Sequence, residues 1–113
     1  MTHSTLKRAC LDLLAASQIP AWPINNTGIF DPTRQVYRFH GVRGISDIVA
    51  CLPPAGRWLA VECKTARDRA SAPQAAFLRQ VIQAGGYGLV IYEVAQLEVW
   101  LQAWRAGNTA MTG

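Results

Sequence analysis

The sequence is short of acid: 11 lysines and arginines stand against 7 aspartates and glutamates, leaving a net charge of +4. Nine of the basic residues are arginine, whose planar fork suits phosphate oxygens, so the balance favours a polyanionic partner. Long apolar runs are missing as well. A membrane-crossing helix needs about 18 or more consecutive apolar residues, and none exist here. Met1 to Thr5 opens no signal-type apolar stretch, so the expectation is a soluble, cytoplasmic protein. Cysteine is scarce, with Cys10, Cys51 and Cys63 lacking C-x-x-C spacing. Each lies in an apolar run, which predicts buried reduced thiols and excludes a disulfide framework or a zinc ribbon. There is no phosphate-binding glycine loop, no Ser-His-Asp order, no internal repeat and no low-complexity segment, which excludes the common nucleotide-binding and triad hydrolase patterns. With 50% hydrophobic and 16% charged residues in 113 positions, the chain reads as a single globular domain over residues 1–113, loose from about 107 onward.

The periodicities predict helices and strands in alternation. Leu6, Cys10, Leu13 and Leu14 recur at helical spacing, giving a first helix over about 3–17 that Pro20 and Pro23 stop. Between Trp22 and Val36, Gly28 and Pro32 carry the turn chemistry of a hairpin. Val36–Phe39 reads as a strand, Ile45–Leu52 as an apolar strand holding one acid, and Trp58–Lys64 as its antiparallel neighbour across Pro53-Pro54-Ala55-Gly56. A second helix starts at Ser71, with Phe77, Leu78, Val81 and Ile82 as its stripe and Gly85-Gly86 as its stop. Tyr87–Tyr92 is a buried strand, and Leu97, Leu101 and Trp104 mark a last helix. The order α-β-β-β-α-β-α gives an α/β class, an α+β mixed sheet flanked by helices. The tryptophans at 22, 58, 100 and 104 read as core or interface aromatics.

Chemistry concentrates in the middle. Asp47 interrupts one apolar strand, and Glu62 and Lys64 interrupt the next; charges inside apolar strands are costly unless paired or bound to a metal. Strand side chains alternate, so Glu62 and Lys64 share a face while Val61 and Cys63 point into the core. Two carboxylates with the Cys63 backbone carbonyl form a hard oxygen set suited to Mg²⁺, with Mn²⁺ as an alternative. Lys64 stands ready to stabilise developing negative charge. A bare E-x-K on a half-exposed strand is common as a surface pair; the specificity comes from Gly44-Ile45-Ser46-Asp47, the turn, and the helix that follows.

These residues resemble the VRR-NUC branch of the PD-(D/E)XK nuclease superfamily, in particular its short stand-alone members from phages and bacteria. The likeness is carried by Gly44, Asp47, Glu62, Lys64 and Gln74, with Asn26-Thr27-Gly28 and Gly85-Gly86 as weaker echoes. It implies a restriction-endonuclease-like core, Asp47 and Glu62 as metal ligands, Lys64 as catalytic, and hydrolysis of DNA phosphodiesters. It also implies a homodimer acting on four-way junctions. Flaps, nicks and single strands are the alternative substrates, and a non-catalytic DNA-binding module with a degenerate metal site is the alternative function. Gln74 carries two readings: the resemblance implies a catalytic-site glutamine at this position, and Ser71-Ala72-Pro73-Gln74 also fits a capping box. The family usually has a glutamate near the start of the first helix, where this chain has His3; histidine is a metal ligand type, although a histidine there is more often a solvated residue. Arg34, Arg38 and Arg43 precede the acid strand, and Arg67 and Arg69 follow Lys64, so two basic segments should bracket a DNA backbone without reading its sequence.

Overall fold

The stripe Leu6, Cys10 and Leu14 is fully buried on helix α1 (His3–Ala16), which Thr2 caps by accepting the Thr5 N–H. The computed structural model describes residues 1–25, 29–38 and 44–107. After α1 come strands β1 (Ala21–Pro23), β2 (Ile29–Asp31), β3 (Val36–Arg38), β4 (Ile48–Leu52) and β5 (Arg57–Cys63), helix α2 (Ala72–Gln83), strand β6 (Tyr87–Ile91) and helix α3 (Val94–Arg105). Strands β1-β4-β5-β6 form a four-stranded mixed sheet in that order, while β2 and β3 pair with each other in a second, two-stranded sheet. The β1–β4 and β4–β5 pairs are antiparallel and β5–β6 is parallel. A parallel pair needs a crossover, and α2 supplies it.

The expected mixed sheet with three helices is therefore present, but the expected strand order needs correction. Among the described residues five strands, not three, precede α2. The first helix ends before Pro20 as expected, and Ala21–Pro23 in addition form β1, because an edge strand needs ladder bonds on one side only and tolerates proline. Phe39 lies outside the described residues, and the expected strand after Val36 is present as Val36–Arg38, the second arm of a hairpin with Ile29–Asp31. Its turn is organised by Asp31, whose Oδ1 accepts the N–H groups of Thr33 and Arg34.

The two faces of the sheet differ. On one, Ile48, Ala50, Leu52, Leu59, Val61, Cys63, Tyr87, Leu89 and Ile91 join α1 and α3 in the main core. On the other, Ala60 packs against Leu78 and Val81 of α2. The end of α2 is closed by Gly85, whose φ of 98° allows the Gly85 and Gly86 N–H groups to return to the carbonyls of Ile82 and Val81, a Schellman cap. Cys10 and Cys63 are buried as expected; Cys51 is only half-buried. No helix among the described residues is long and apolar enough to cross a membrane.

Candidate active site

The register of the central strands decides which side chains meet. Val61 stands opposite Ile48, and both face the main core. Alternation therefore sends Glu62 and Lys64 to the α2 face, where Asp47, one residue before Ile48, also points. Two positions differ from the sequence expectation: Asp47 sits in the bend just before β4, and Lys64 just past the end of β5. Beyond the last β4–β5 pair the strands lack ladder partners, and the Asp47 side chain substitutes for one: its Oδ2 accepts the Cys63 N–H at 2.8 Å. Because the N–H and C=O of an extended residue leave the strand on the same side, the Cys63 carbonyl is directed to the same edge as Asp47.

Glu62 is the unusual residue. It is 1% exposed, within the run of five buried residues that ends β5. Its Oε1 accepts a hydrogen bond from Gln74 Nε2 at 3.2 Å and faces Lys64 Nζ at 3.9 Å. Its Oε2 is buried with no hydrogen-bond partner among the described residues. Burial and then the adjacent Asp47 carboxylate push Glu62 up to about 8, with Lys64 and Lys7 pulling the other way. For Asp47, burial alone would raise the pKa, but Glu62, the Cys63 amide and His3 together hold it below the ordinary value. At neutral pH the pair thus keeps one proton, mainly on Glu62, and one negative charge, mainly on Asp47. The neighbouring Cys10 and then burial push the Cys63 thiol up, so Cys63 brings its backbone to this site and not a thiolate.

Gln74 fills both roles that its sequence context allowed. Its Oε1 accepts the Ser71 N–H at 2.8 Å while Ser71 Oγ accepts the Gln74 N–H, completing the capping box of α2. The cap fixes the amide: its oxygen must face a backbone donor, so its NH₂ must face Glu62. The start of α2 is itself held in place by Gly44. That residue has φ 85°, and a Cβ there would lie 2.5 Å from the carbonyl carbon and oxygen of Pro73, so the glycine lets the loop carrying Asp47 press against the helix carrying Gln74.

His3, weighed toward a solvated role, is about half exposed, yet its Nε2 lies 3.1 Å from Asp47 Oδ2. One turn later, Lys7 donates to the Ile24 carbonyl at 2.9 Å, an anchor that sequence reading passed over. The i, i+4 spacing of His3 and Lys7 was the available signal, since it puts both on one face of α1. Arg67 and Arg69 are exposed on a loop tied down by the Tyr92 hydroxyl, which donates to the Asp68 carbonyl. Arg34 is exposed on the hairpin turn. Arg43 and the side chain of Arg38 lie outside the described residues, as does His40.

No group of three or more His, Cys, Asp and Glu side chains among the described residues is arranged to hold a metal ion. The available set is smaller and harder: two carboxylates and a backbone carbonyl. That composition fits a small divalent cation that keeps several waters, and the buried, unpartnered Oε2 of Glu62 is an acceptor that such a cation would satisfy. Compared with protein-family models and with curated proteins, the chain matches none.

Proposed function

We propose that this chain is a divalent-metal-dependent DNA endonuclease with a restriction-endonuclease-like PD-(D/E)XK core of the VRR-NUC kind. The observation that carries the reading is Glu62, a carboxyl buried in a central strand with one oxygen unpartnered beside Asp47 and Lys64. A buried acid of this kind is costly to keep, and burial with the Asp47 carboxylate outweighs the relief that Lys64 and Lys7 give its ionised form. The topology agrees with the reading: a helix, an antiparallel run ending in β4–β5, a crossover helix and a parallel strand.

Asp47, Glu62 and the Cys63 carbonyl would hold Mg²⁺ or Mn²⁺, which supplies charge neutralisation at the scissile phosphate and an acidified water when bound. Lys64 places an ammonium beside the same carboxylate and stabilises charge that develops on a phosphate oxygen. Gln74 orients Glu62, and His3 orients Asp47 from the position where the resembled family carries an acid. The exposed guanidinium groups of Arg67 and Arg69 take backbone phosphates, contacts that position a duplex without reading bases. Branched DNA is the favoured substrate, and a homodimer would present one site to each of two symmetric strands.

The test is cleavage of labelled four-way junction, flap, plain duplex and single-stranded DNA with Mg²⁺, Mn²⁺ or chelator. Paired cuts in the junction, abolished by chelator and by Glu62→Ala, are the expected result. Wild-type turnover by Glu62→Ala would remove the metal-site assignment. Binding without cleavage under both metals would make the chain a DNA-binding module.

A further inference from the structure

The α2 face of the sheet is only half covered. Trp22 stands opposite Val49, Val49 opposite Ala60, and Cys51 opposite Trp58, so all five share the face on which α2 packs. α2 itself rests on β5 and β6. Trp22 and Trp58 are 54% and 53% exposed, and among the described residues neither apolar cluster includes them, Val49 or Cys51. Two indoles with a half-buried valine and cysteine between them therefore form an open apolar strip.

The strip leads into the carboxylate site. The Ile24 N–H donates to the Asp47 carbonyl at 2.7 Å, which carries the β1–β4 pairing one step past Pro23 and Ile48. Trp22 is thus one diagonal step from Asp47 on the same face, a separation of about 7 Å. At the other side of the site stands Lys64, 17% exposed.

The occupant can be argued from these features. A second copy adding a strand at the β1 edge is disfavoured, because Pro20 and Pro23 bracket Trp22 and proline blunts an edge. A purely apolar partner would leave the Lys64 ammonium beside the strip and the chain's net +4 unanswered. A partner that combines flat apolar rings with negative charge answers both. In a fully paired duplex the base faces are already stacked on one another, so only unpaired bases have a face to offer.

We infer that Trp22, with Trp58 further along the strip, stacks unpaired DNA bases beside the scissile phosphate, so that the substrate is DNA with an unpaired nucleotide next to the cut. This rests on the nuclease reading of the carboxylate site. It separates junctions with open centres, flaps and single strands from plain duplex.

The test uses the full chain in EDTA, where binding is read without turnover. The probes are a single strand and a flapped duplex carrying 2-aminopurine in the unpaired segment, beside a fully paired duplex of the same sequence. Wild type should quench the unpaired 2-aminopurine. Trp22→Ala should lose that quenching and bind both unpaired probes about tenfold more weakly, as loss of one base–aromatic stack implies, with duplex affinity held within about twofold. Trp22→Phe, which keeps an aromatic ring, should retain most of both signals and guards against a folding defect in the alanine variant. Absence of quenching by wild type overturns the inference. So does an equal loss of affinity for paired and unpaired probes, or sedimentation showing that Trp22→Ala breaks self-association while DNA affinities stay unchanged. Glu62→Gln keeps the two readings apart: its effect on cleavage judges the nuclease, while its quenching in EDTA should equal wild type.

Discussion

The two faces of one sheet have been put to opposite uses. The face under α1 and α3 is closed and apolar from Ile48 to Ile91. The face under α2 carries a smaller cluster, two exposed tryptophans, and a buried acid with an unpartnered oxygen. Strand β5 takes part in both: Leu59, Val61 and Cys63 face one way, while Trp58, Ala60 and Glu62 face the other. Apolar packing is concentrated on the first face, and the groups of the proposed site lie on the second.

The sharpest way to break that comparison is to substitute along β5. Glu62→Gln should reduce metal-dependent cleavage by more than about 100-fold, since loss of even an outer partner of a metal ligand costs 10–100-fold; in chelator its melting transition should be at least as high as wild type. Leu59→Ala, three residues away on the closed face, should do the reverse. It should lose about 2–5 kcal/mol in urea unfolding for a fully buried leucine, while enzyme that remains folded keeps its turnover. If Glu62→Gln unfolds the protein or Leu59→Ala leaves its stability unchanged, the division of the faces fails.

A smaller effect concerns pH. With the Glu62 carboxyl pushed up to about 8, the folded protein holds a proton that the unfolded chain releases near 4.5. Between those values the folded state binds more protons, so stability falls as pH rises and is lowest above pH 8. Chelated wild type should lose a few kcal/mol of unfolding free energy from about pH 5 to 8.5 by this linkage, and Glu62→Gln should show a much flatter profile. A rise in wild-type stability over that interval would contradict a protonated Glu62. Smallest is the cap at α2. Ser71→Ala removes one capping acceptor and should cost about 1 kcal/mol with little effect on cleavage. Gln74→Ala should cost a similar amount of stability, and its cleavage should fall further than that of Ser71→Ala, because Glu62 Oε1 also loses its donor. Equal cleavage by the two variants would reduce Gln74 to a cap.

Much of this was legible before any coordinates. The alternation of Val61, Glu62, Cys63 and Lys64 assigned faces that the structure shows, and Ser71-Ala72-Pro73-Gln74 announced the start of α2 because its chemistry is local. What escaped depended on long-range pairing. Nothing near Trp22 distinguishes a helix stop from an edge strand; β1 exists because β4 offers a ladder on one side, with the Pro20 carbonyl taking the Cys51 N–H. His3 and Lys7 are ordinary polar residues of a first helix until the sheet brings Asp47 and Ile24 to them. The twofold role of Gln74 also needed the fold, since only the approach of Gly44 to Pro73 brings that amide over β5.

In each acid of the site the scaffold's hydrogen bonds, among the described residues, address one oxygen, while the two carboxyl groups also share a hydrogen bond with each other. Cys63 and His3 both address Oδ2 of Asp47, and Gln74 addresses Oε1 of Glu62. Each carboxyl group is in effect a tethered lever, with one atom clamped by the scaffold and, in Glu62, its twin buried without a partner. An amide in place of either acid keeps an oxygen for the clamp while surrendering the charge of Asp47 or the capacity of Glu62 to ionise. Asp47→Asn and Glu62→Gln therefore ask what the charge does, whereas alanine at the same positions would also release the strand end and the helix start.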